Sequence, residues 1–301
     1  MDEGLLMADV TILICYEAGT IDMLNSCLSA IDRHTSTPYK LLIVTKHPGE
    51  GRKELLTLDE RFGIQESNIY LAPPQTPLLS GRVHGAMIDA AMGAVGTKYL
   101  LTLDSDCFPV ADNWLKELVG MMEPDVACAG ILHPWQPPAE DMDKTLMEYR
   151  VRANHCWNVT HVACQLVRKD FVVGHNLSYA GGDDTGLLIP RRALEIGMRV
   201  VGWMPTRCAN PQNSEFDPEF NRHVCLMWGD RVYHHGEYTR RKDGRDKDFE
   251  QNFGWVLPLV LSYEGAEFLL DDNNSYSYKF DREPEAVANK MERLFGMRKN
   301  G

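Results

Sequence analysis

The sequence lacks a hydrophobic segment long enough to cross a membrane. No run approaches the ~20 consecutive apolar residues that a transmembrane helix needs. The stretch from Met1 to Asp9 contains neither a basic residue nor an apolar run of secretory length. These absences argue against a membrane anchor and a signal peptide, so we expect a cytoplasmic protein.

The sequence also lacks closely spaced cysteines. Its eight cysteines are scattered without a Cys-x-x-Cys pair, and several lie inside apolar runs. Structural zinc sites and disulfide-stapled small domains depend on close or regular cysteine spacing. We therefore expect buried free thiols.

Positive charge is scarce. The chain has 31 Lys and Arg residues against 43 Asp and Glu residues, for a net charge of -12. Proteins held mainly by nucleic-acid phosphates carry the opposite balance. One basic cluster, at residues 240–247, is interrupted by acidic residues and glycine, and we interpret it as a solvated loop.

Two nucleotide-binding fingerprints are missing. No Gly-x-Gly-x-x-Gly follows the first predicted strand, and no Gly-x-x-x-x-Gly-Lys-Ser/Thr occurs. These glycine patterns let the backbone approach a pyrophosphate in dinucleotide-binding folds and P-loop enzymes. Neither class is supported by the sequence.

What is present is the composition of a globular protein. The chain has 301 residues, 44% of them hydrophobic and 25% charged, which allows one large domain or two modest ones.

Apolar, β-rich runs alternate with helical patterns in the first hundred residues. Strands are predicted at 10–15, 39–45, 67–71 and 98–103, and helices through Leu24 to Ile31, at 52–62 and at 83–94. The alternation predicts an α/β fold with a mainly parallel central sheet and helices on both faces.

The second half of the chain continues this pattern less regularly. Helices are predicted at 114–122, 142–152, 184–197, 248–261 and 285–295, strands at 126–132, 161–167, 199–203 and 224–233, and a polar loop at 205–219.

The most informative motif is Asp104-Ser-Asp106, directly after the apolar run that ends at Leu103. A buried strand would present two carboxylates at its carboxyl end, where ligands bind in open α/β sheets. Carboxylate oxygens suit Mg²⁺ or Mn²⁺ held against a diphosphate. A solvated turn rich in Asp is the alternative.

Two further clusters carry chemistry. Gly181-Gly-Asp-Asp-Thr-Gly186 offers a carboxylate that could accept a proton, and Tyr233-His-His-Gly236 offers a histidine that could share the cation with the first pair. The alternatives are a helix cap formed by Asp183 or Asp184, and a surface histidine whose hydrogen bonds are already satisfied.

Taken in order, these motifs resemble the GT-A glycosyltransferases, and within them the family-2-like group. The resemblance runs from residue 9 to about residue 240. It is carried by the opening strand with Tyr16 and Glu17, the helix with Leu24, Cys27, Leu28 and Ile31, Gly81 and Ala86, Leu101-Thr-Leu-Asp-Ser-Asp106, Asp183-Asp184 before a helix ending at Gly197, and His234 on a late strand.

The resemblance implies a fold, a domain division and a reaction. The fold is a Rossmann-like GT-A sandwich over residues 1–240. The resemblance does not cover residues 241–301, whose helical pattern predicts a C-terminal extension packed on the same domain. The reaction is metal-dependent transfer of a sugar from a nucleotide-diphosphate donor to an acceptor hydroxyl, with inversion.

The resemblance also assigns roles to residues. Cys15, Tyr16 and Glu17 receive the nucleotide, Asp104 approaches its ribose and the metal, and Asp106 with His234 or His235 completes the coordination of Mn²⁺ or Mg²⁺. Asp184, or Asp183 beside it, is the catalytic base. Arg240 or Arg241 clamps the diphosphate.

Two departures from the family pattern concern the donor and the base. The family usually has an acidic residue at the tip of its second strand, whereas this chain has Lys46 and His47 there. The middle motif is Asp-Asp-Thr-Gly, where the family more often has Glu-Asp followed by another acid.

Other functions remain open at the level of sequence. They are a sugar-nucleotide pyrophosphorylase, a glycosyltransferase for hydroxylated bases of viral or bacterial DNA, and a non-catalytic carbohydrate-binding scaffold. The first is disfavoured because residues 16–20 contain no Arg or Lys, and the second by the net acidity. The acceptor is a small molecule, a glycan, a protein or, less favoured, DNA.

Overall fold

Two β-sheets form the framework of the computed structural model, which describes residues 9–73, 80–134, 158–182, 184–208, 226–236 and 278–279. The larger sheet has seven strands in the order β3-β2-β1-β4-β7-β6-β8. Its strands are β1 (Val10–Tyr16), β2 (Lys40–Thr45), β3 (Ile69–Leu71), β4 (Tyr99–Leu103), β6 (Val126–Pro134), β7 (Asn158–Arg168) and β8 (Arg199–Trp203). All are mutually parallel except β7, which runs antiparallel to both of its neighbours.

Helices cover both faces of this sheet. They are α1 (Ile21–His34), α2 (Glu50–Leu56), α3 (Asp59–Phe62), α4 (Ser80–Ala91), α5 (Trp114–Gly120), α6 (Lys169–Gly174) and α7 (Leu188–Glu195). Short 3₁₀ turns lie at Glu66–Asn68 and Met92–Ala94.

Strand β1 illustrates how the sequence builds the two layers. Alternate side chains of a strand point to opposite faces. Ile12 and Ile14 pack into the core on one face with α1, while Leu13 packs into the core on the other face with α4. A strand buried on both sides needs an unbroken apolar run, as the sequence has here. The expected α/β class, with a mainly parallel sheet between helices, is confirmed.

The smaller sheet is antiparallel, in the order β12-β9-β10-β11-β5. Its strands are β5 (Cys107–Pro109), β9 (Pro205–Cys208), β10 (Leu226–Trp228), β11 (Val232–His234) and β12 (Tyr278–Lys279). Strand β5 directly follows the Asp104-Ser-Asp106 turn, so this sheet is attached to the larger one at the carboxyl end of β4.

Several predicted elements differ in the structure. The single strand expected at 224–233 is a hairpin of β10 and β11, because Gly229 and Asp230 turn the chain with positive φ angles of 60° and 54°. The helix expected from Asp184 begins only at Leu188, after a turn in which Gly186 has φ 72°. The loop expected from Pro205 begins with β9.

Other expectations fall outside the described residues. These are the helices at 142–152, 248–261 and 285–295, residues 209–219 of the expected loop, and all of the 241–301 extension except β12, which pairs with β9. None of the helices within the described ranges combines the length and apolar character needed to span a membrane.

Candidate metal centre and active site

Asp104 and Asp106 lie in a tight turn at the carboxyl end of β4. The backbone N–H of Asp104 donates a hydrogen bond to the carbonyl of Ala163 on β7 at 2.9 Å. The N–H of Cys107 donates to the carbonyl of Asp104, also at 2.9 Å. The turn is therefore tied to the neighbouring strand and closed on itself, which fixes both carboxylates at the predicted edge of the sheet.

The smaller sheet brings a histidine to these carboxylates. Strand β11 pairs with β5 so that His234 lies opposite Cys107, and the N–H of His235 donates to the carbonyl of Asp106 at 2.9 Å. His234 Nε2 lies 3.6 Å from Asp106 Oδ1 and 3.9 Å from Asp104 Oδ2. One ligand atom from each of Asp104, Asp106 and His234 lies within 4.8 Å of the others. We call these three residues the Asp-Asp-His cluster.

The chemistry of this cluster fits a divalent cation. Carboxylate oxygens are the donors that Mn²⁺ and Mg²⁺ prefer, and an imidazole nitrogen is a donor that suits a transition metal such as Mn²⁺. The side chains of Asp106 and His234 are 10% and 4% exposed, and that of Asp104 is 24% exposed, so the two carboxylates are only partly screened from each other by water. A cation between them would offset their mutual repulsion.

The pKa of Asp104 reflects these surroundings. Burial raises the pKa of Asp104 above its ordinary value, and the nearby His84 opposes the rise. The Asp106 carboxylate raises this pKa further, because two neighbouring carboxylates resist a second negative charge. Asp104 therefore holds its proton more tightly than an ordinary aspartate when no cation is bound.

Two imidazoles that the sequence analysis did not single out border the cluster. His84 on α4 places Nε2 3.6 Å from Asp104 Oδ1, the oxygen that does not face His234. The ring of His161 on β7 lies 5.8 Å from the ring of His234. Neither histidine belongs to a local motif. The alternation of β7 and the packing of α4 bring them here, and only the folded chain reveals it.

Asp184, the candidate base, lies near Asp104. Its carboxylate is close enough to Asp104 to raise the pKa of that group. The Asp184 side chain is exposed, and its Oδ1 accepts a hydrogen bond from the backbone N–H of Thr185 at 2.8 Å. Asp183, the other candidate base, lies outside the described residues.

The three residues expected at the nucleotide lie at the carboxyl end of β1: Cys15 and Tyr16 are its last two residues, and Glu17 follows it. Burial raises the pKa of the Cys15 thiol, and the Asp104 carboxylate raises it further. The effect of Asp104 indicates that Cys15 lies near the cluster. The ring of Tyr16 is buried, and its hydroxyl donates to Glu54, which also accepts the N–H of Gly19 at 2.9 Å. Tyr16 therefore anchors the β1–α1 loop, and its backbone is the part near the sheet edge.

Glu17 lies over the tip of β2. Its carboxylate contacts His47 Nε2 at 2.8 Å and Lys46 Nζ at 3.1 Å. The second strand has no acid of its own at this position, and the carboxylate there comes from the residue that follows the first strand. Glu17 remains about one-third exposed.

The remaining candidates separate from the cluster or lie beyond the described residues. The ring of His235 is fully buried, and its Nδ1 is hydrogen-bonded to the Tyr233 hydroxyl at 3.2 Å. Of the two histidines, His234 is the one in the cluster. Arg240 and Arg241 lie outside the described residues.

A cavity of about 490 Å³ lies at the other end of the strands. Its lining includes the starts of β1 and β2, with Thr11 and Lys40, together with Phe62 and Asn68. None of the residues discussed for the metal centre lines it, so it is separate from the candidate active site.

The sequence matches no protein-family model and no curated protein. Similar solved structures exist. Glucosyl-3-phosphoglycerate synthase from Mycobacterium tuberculosis, in complex with Mn²⁺ and UDP-glucose, is 12% identical with a TM-score of 0.41, over 65% of this chain and 70% of that chain.

A mannosyltransferase from Pyrobaculum calidifontis, in complex with GDP-mannose and Mn²⁺, is 13% identical with a TM-score of 0.44, over 98% of this chain and 82% of that chain. S. aureus TarS (residues 1–349) is 11% identical with a TM-score of 0.42, over 65% and 58% of the two chains. Identities and scores this low do not transfer a function, which has to come from the residues of this chain.

Proposed function

We propose that this protein is a metal-dependent glycosyltransferase that moves a sugar from a nucleotide-diphosphate donor to an acceptor hydroxyl. The observation that carries the proposal is the Asp-Asp-His cluster at the carboxyl end of β4, beside the end of β1. Ligands of open α/β sheets bind at this edge. An anionic diphosphate needs a cation there, because the protein's own charge nearby is negative.

Asp104, Asp106 and His234 would hold Mn²⁺ or Mg²⁺. When bound, the cation supplies positive charge that offsets the charge developing on the departing nucleoside diphosphate. The three residues would fix the position of the cation, and the burial of Asp106 and His234 limits access of competing water from their side. His84 lies against the outer oxygen of Asp104, where it restrains the carboxylate.

The nucleotide would lie along the end of β1, against the backbone of Cys15 to Glu17. Glu17 is held in place by Lys46 and His47 and has exposed surface left to accept hydrogen bonds from a base or a ribose. Arg240 or Arg241, which come shortly after the histidines in the sequence, would clamp the diphosphate with a planar guanidinium.

Asp184 would be the general base. It is exposed, lies near Asp104 and is placed by its own hydrogen bond to Thr185. It would take the proton of the acceptor hydroxyl as the oxygen attacks the anomeric carbon from the face opposite the leaving diphosphate. An in-line displacement of this kind inverts the stereocentre.

A thermal-shift panel tests the donor site. Nucleoside diphosphates are added with and without Mn²⁺, and a ligand at 100 times its Kd stabilises the folded state by about 2.7 kcal/mol. We expect a Mn²⁺-dependent rise in Tm with one base, lost in Asp106→Asn and kept in Asp32→Asn, a control on the exposed surface of α1. The donor-site assignment is wrong if no diphosphate gives a Mn²⁺-dependent shift.

Donor turnover tests the reaction itself. Nucleotide sugars of the preferred base are incubated with Mn²⁺, and release of nucleoside diphosphate is followed with and without candidate acceptors. Glycosyl transfer releases the diphosphate, whereas a pyrophosphorylase given nucleoside triphosphate and sugar phosphate releases pyrophosphate. Binding without turnover under any of these conditions would instead favour the carbohydrate-binding scaffold.

A further inference from the structure

Helix α4 is hydrogen-bonded to the segment that precedes Asp184. The carboxylate of Asp89 on α4 accepts three hydrogen bonds from consecutive residues: the Ser178 hydroxyl at 2.6 Å, the Tyr179 N–H at 2.7 Å and the Ala180 N–H at 3.1 Å. Three donors on one carboxylate fix both the position and the direction of this stretch of backbone.

Gly85 lies one helical turn before Asp89, on the same face of α4. A Cβ at this position would lie 2.4 Å from the Tyr179 carbonyl oxygen and 2.6 Å from the Cα of Ala180. Only glycine permits this approach of helix to backbone. The Gly85 contact involves Tyr179 and Ala180, which are two of the three residues that donate hydrogen bonds to Asp89.

Residues 179–182 and 184–186, which we call the 179–186 loop, begin at Tyr179, a residue that Asp89 holds, and return to it. The N–H of Gly186 donates to the carbonyl of Tyr179 at 2.8 Å. The Tyr179 ring is fully buried and packs beneath Gly186, where a Cβ would lie 3.0 Å from the ring. Both ends of the loop are therefore fixed through Tyr179, and Asp184 lies between them.

The same helix also reaches the metal centre. His84 precedes Gly85 and contacts Asp104. One rigid element therefore borders the Asp-Asp-His cluster and holds the loop that carries Asp184. The separation between the cluster and Asp184 depends on how this loop is attached to α4.

We propose that Asp89 is a positioning residue for sugar transfer, which holds the 179–186 loop so that Asp184 faces the Asp-Asp-His cluster. This inference rests on the proposed function, because it needs Asp184 to act as the base. Asp89 itself touches neither the donor nor the cation and acts through the loop.

The Asp89→Asn variant tests the role of the carboxylate. An amide keeps the shape of the side chain but cannot accept all three hydrogen bonds, so the loop shifts. Displacing a reacting group by about 1 Å can cost 10²-fold in rate, and we expect kcat to fall by about 10- to 100-fold. Mn²⁺-dependent binding of the nucleoside diphosphate should keep its wild-type Kd, since the cluster is unaltered. A kcat near the wild-type value would overturn the proposal.

A double-mutant cycle separates positioning from general structural support. If Asp89 acts through Asp184, Asp89→Asn should cause little further loss of kcat in an Asp184→Asn background. Additive losses would overturn the proposal, because Asp89 would then act on something else. Ser178→Ala, which removes one of the three hydrogen bonds, should give a smaller fall in kcat than Asp89→Asn.

Gly85→Ala is the second route, for the case in which Asp89→Asn does not fold. It leaves the carboxylate intact and pushes the loop away from α4. We expect the same pattern, a lower kcat with unchanged diphosphate binding. Gly93→Ala is the matched control, because a Cβ at Gly93 meets nothing within 4 Å. A Gly85→Ala enzyme that turns over like Gly93→Ala would overturn the inference.

Hydrogen exchange distinguishes failure of this inference from failure of the proposed function. The amides of Tyr179, Ala180 and Gly186 should exchange slowly in the wild type and faster in Asp89→Asn, with β4 and β7 unchanged. A wild-type protein without donor turnover would overturn the proposed function and this role together. An active wild type with fast exchange at these amides would overturn this role alone.

Discussion

The two sheets hold the metal centre by different means. The seven-stranded sheet fixes the carboxylates at the end of a fully buried strand, with a backbone hydrogen bond to β7. The five-stranded sheet presents His234 at the end of a three-residue strand, paired on both sides with strands of the same length. The carboxylates therefore belong to the main core, whereas the histidine depends on a small antiparallel element.

This difference implies that the two halves of the centre should fail in different ways. A substitution near β4 changes a charge within the packed core of the larger sheet. It should therefore change turnover while the backbone stays in place. A change in the β10–β11 hairpin can displace His234, so it should affect cation affinity and stability together. The four predictions below are ordered by the size of the expected effect.

Asp184→Asn tests whether the catalytic base is supplied by a segment packed on the seven-stranded sheet. Asp184 precedes α7, which packs against β6 and β8. General-base assistance contributes ~10²- to 10⁴-fold, so kcat should fall by about that factor, while the Kd for Mn²⁺ and nucleoside diphosphate stays the same. Steady-state kinetics and calorimetry measure the two quantities. Near-normal turnover would rule this base out.

His234→Gln and His235→Gln form a matched pair on the five-stranded side. His234 is in the cluster, whereas the His235 ring is bonded to Tyr233. Loss of His234 should weaken Mn²⁺ binding by at least the ~10- to 100-fold that outer-shell partners contribute. His235→Gln should instead lower the free energy of unfolding by about 1 kcal/mol and leave Mn²⁺ affinity near the wild-type value. The reverse pattern would exchange their roles.

Gly229→Ala tests whether the hairpin sets the position of His234. Gly229 has φ 60°, and a Cβ there would lie 2.6 Å from the Trp203 ring. Alanine in this conformation should cost on the order of 1–2 kcal/mol of stability, measured by denaturant unfolding. Because His234 lies on the second strand of this hairpin, Mn²⁺ affinity should fall as well. Loss of stability with intact affinity would mean that β5 alone positions the histidine.

The same contrast explains which features could be predicted from the sequence. Strand β1 could be predicted because a strand buried on both faces requires a continuous apolar run, and Val10 to Cys15 is such a run. The strands β5, β10 and β11 have three residues each, too few for an alternating pattern. The turn residues Gly229 and Asp230 were the available signal for the hairpin, and the prediction of one strand overlooked them.

Within the site, local motifs could be predicted and long-range neighbours could not. The turn with Asp104 and Asp106 and the histidine pair stood out as residue types at a strand end. Which histidine faces the carboxylates depends on the register between β11 and β5, because adjacent residues of a strand point to opposite faces. His84 and Asp89 lie on a helix without a motif, and only packing brings them to Asp104 and the 179–186 loop.

The smallest expected effect is a pH dependence that isolates the carboxylate side. Since the folded state raises the pKa of Asp104, folding favours its protonated form. In the presence of a chelator, the contribution of Asp104 to stability should be greatest at low pH and be lost as pH rises above the ordinary aspartate range. Asp104→Asn lacks this titration, so its Tm relative to the wild type should rise over the same interval. A difference of 1 kcal/mol corresponds to roughly 2–4 °C in a domain of this size, and calorimetric scans at several pH values would measure it.

Mn²⁺ should reverse the order of the two Tm values at neutral pH, because only the wild type binds the cation with Asp104. If Tm changes with pH in the same way in Asp104→Asn and in the wild type, the carboxylates are better solvated than their burial implies. The two sheets would then not differ in the electrostatics of the groups they hold.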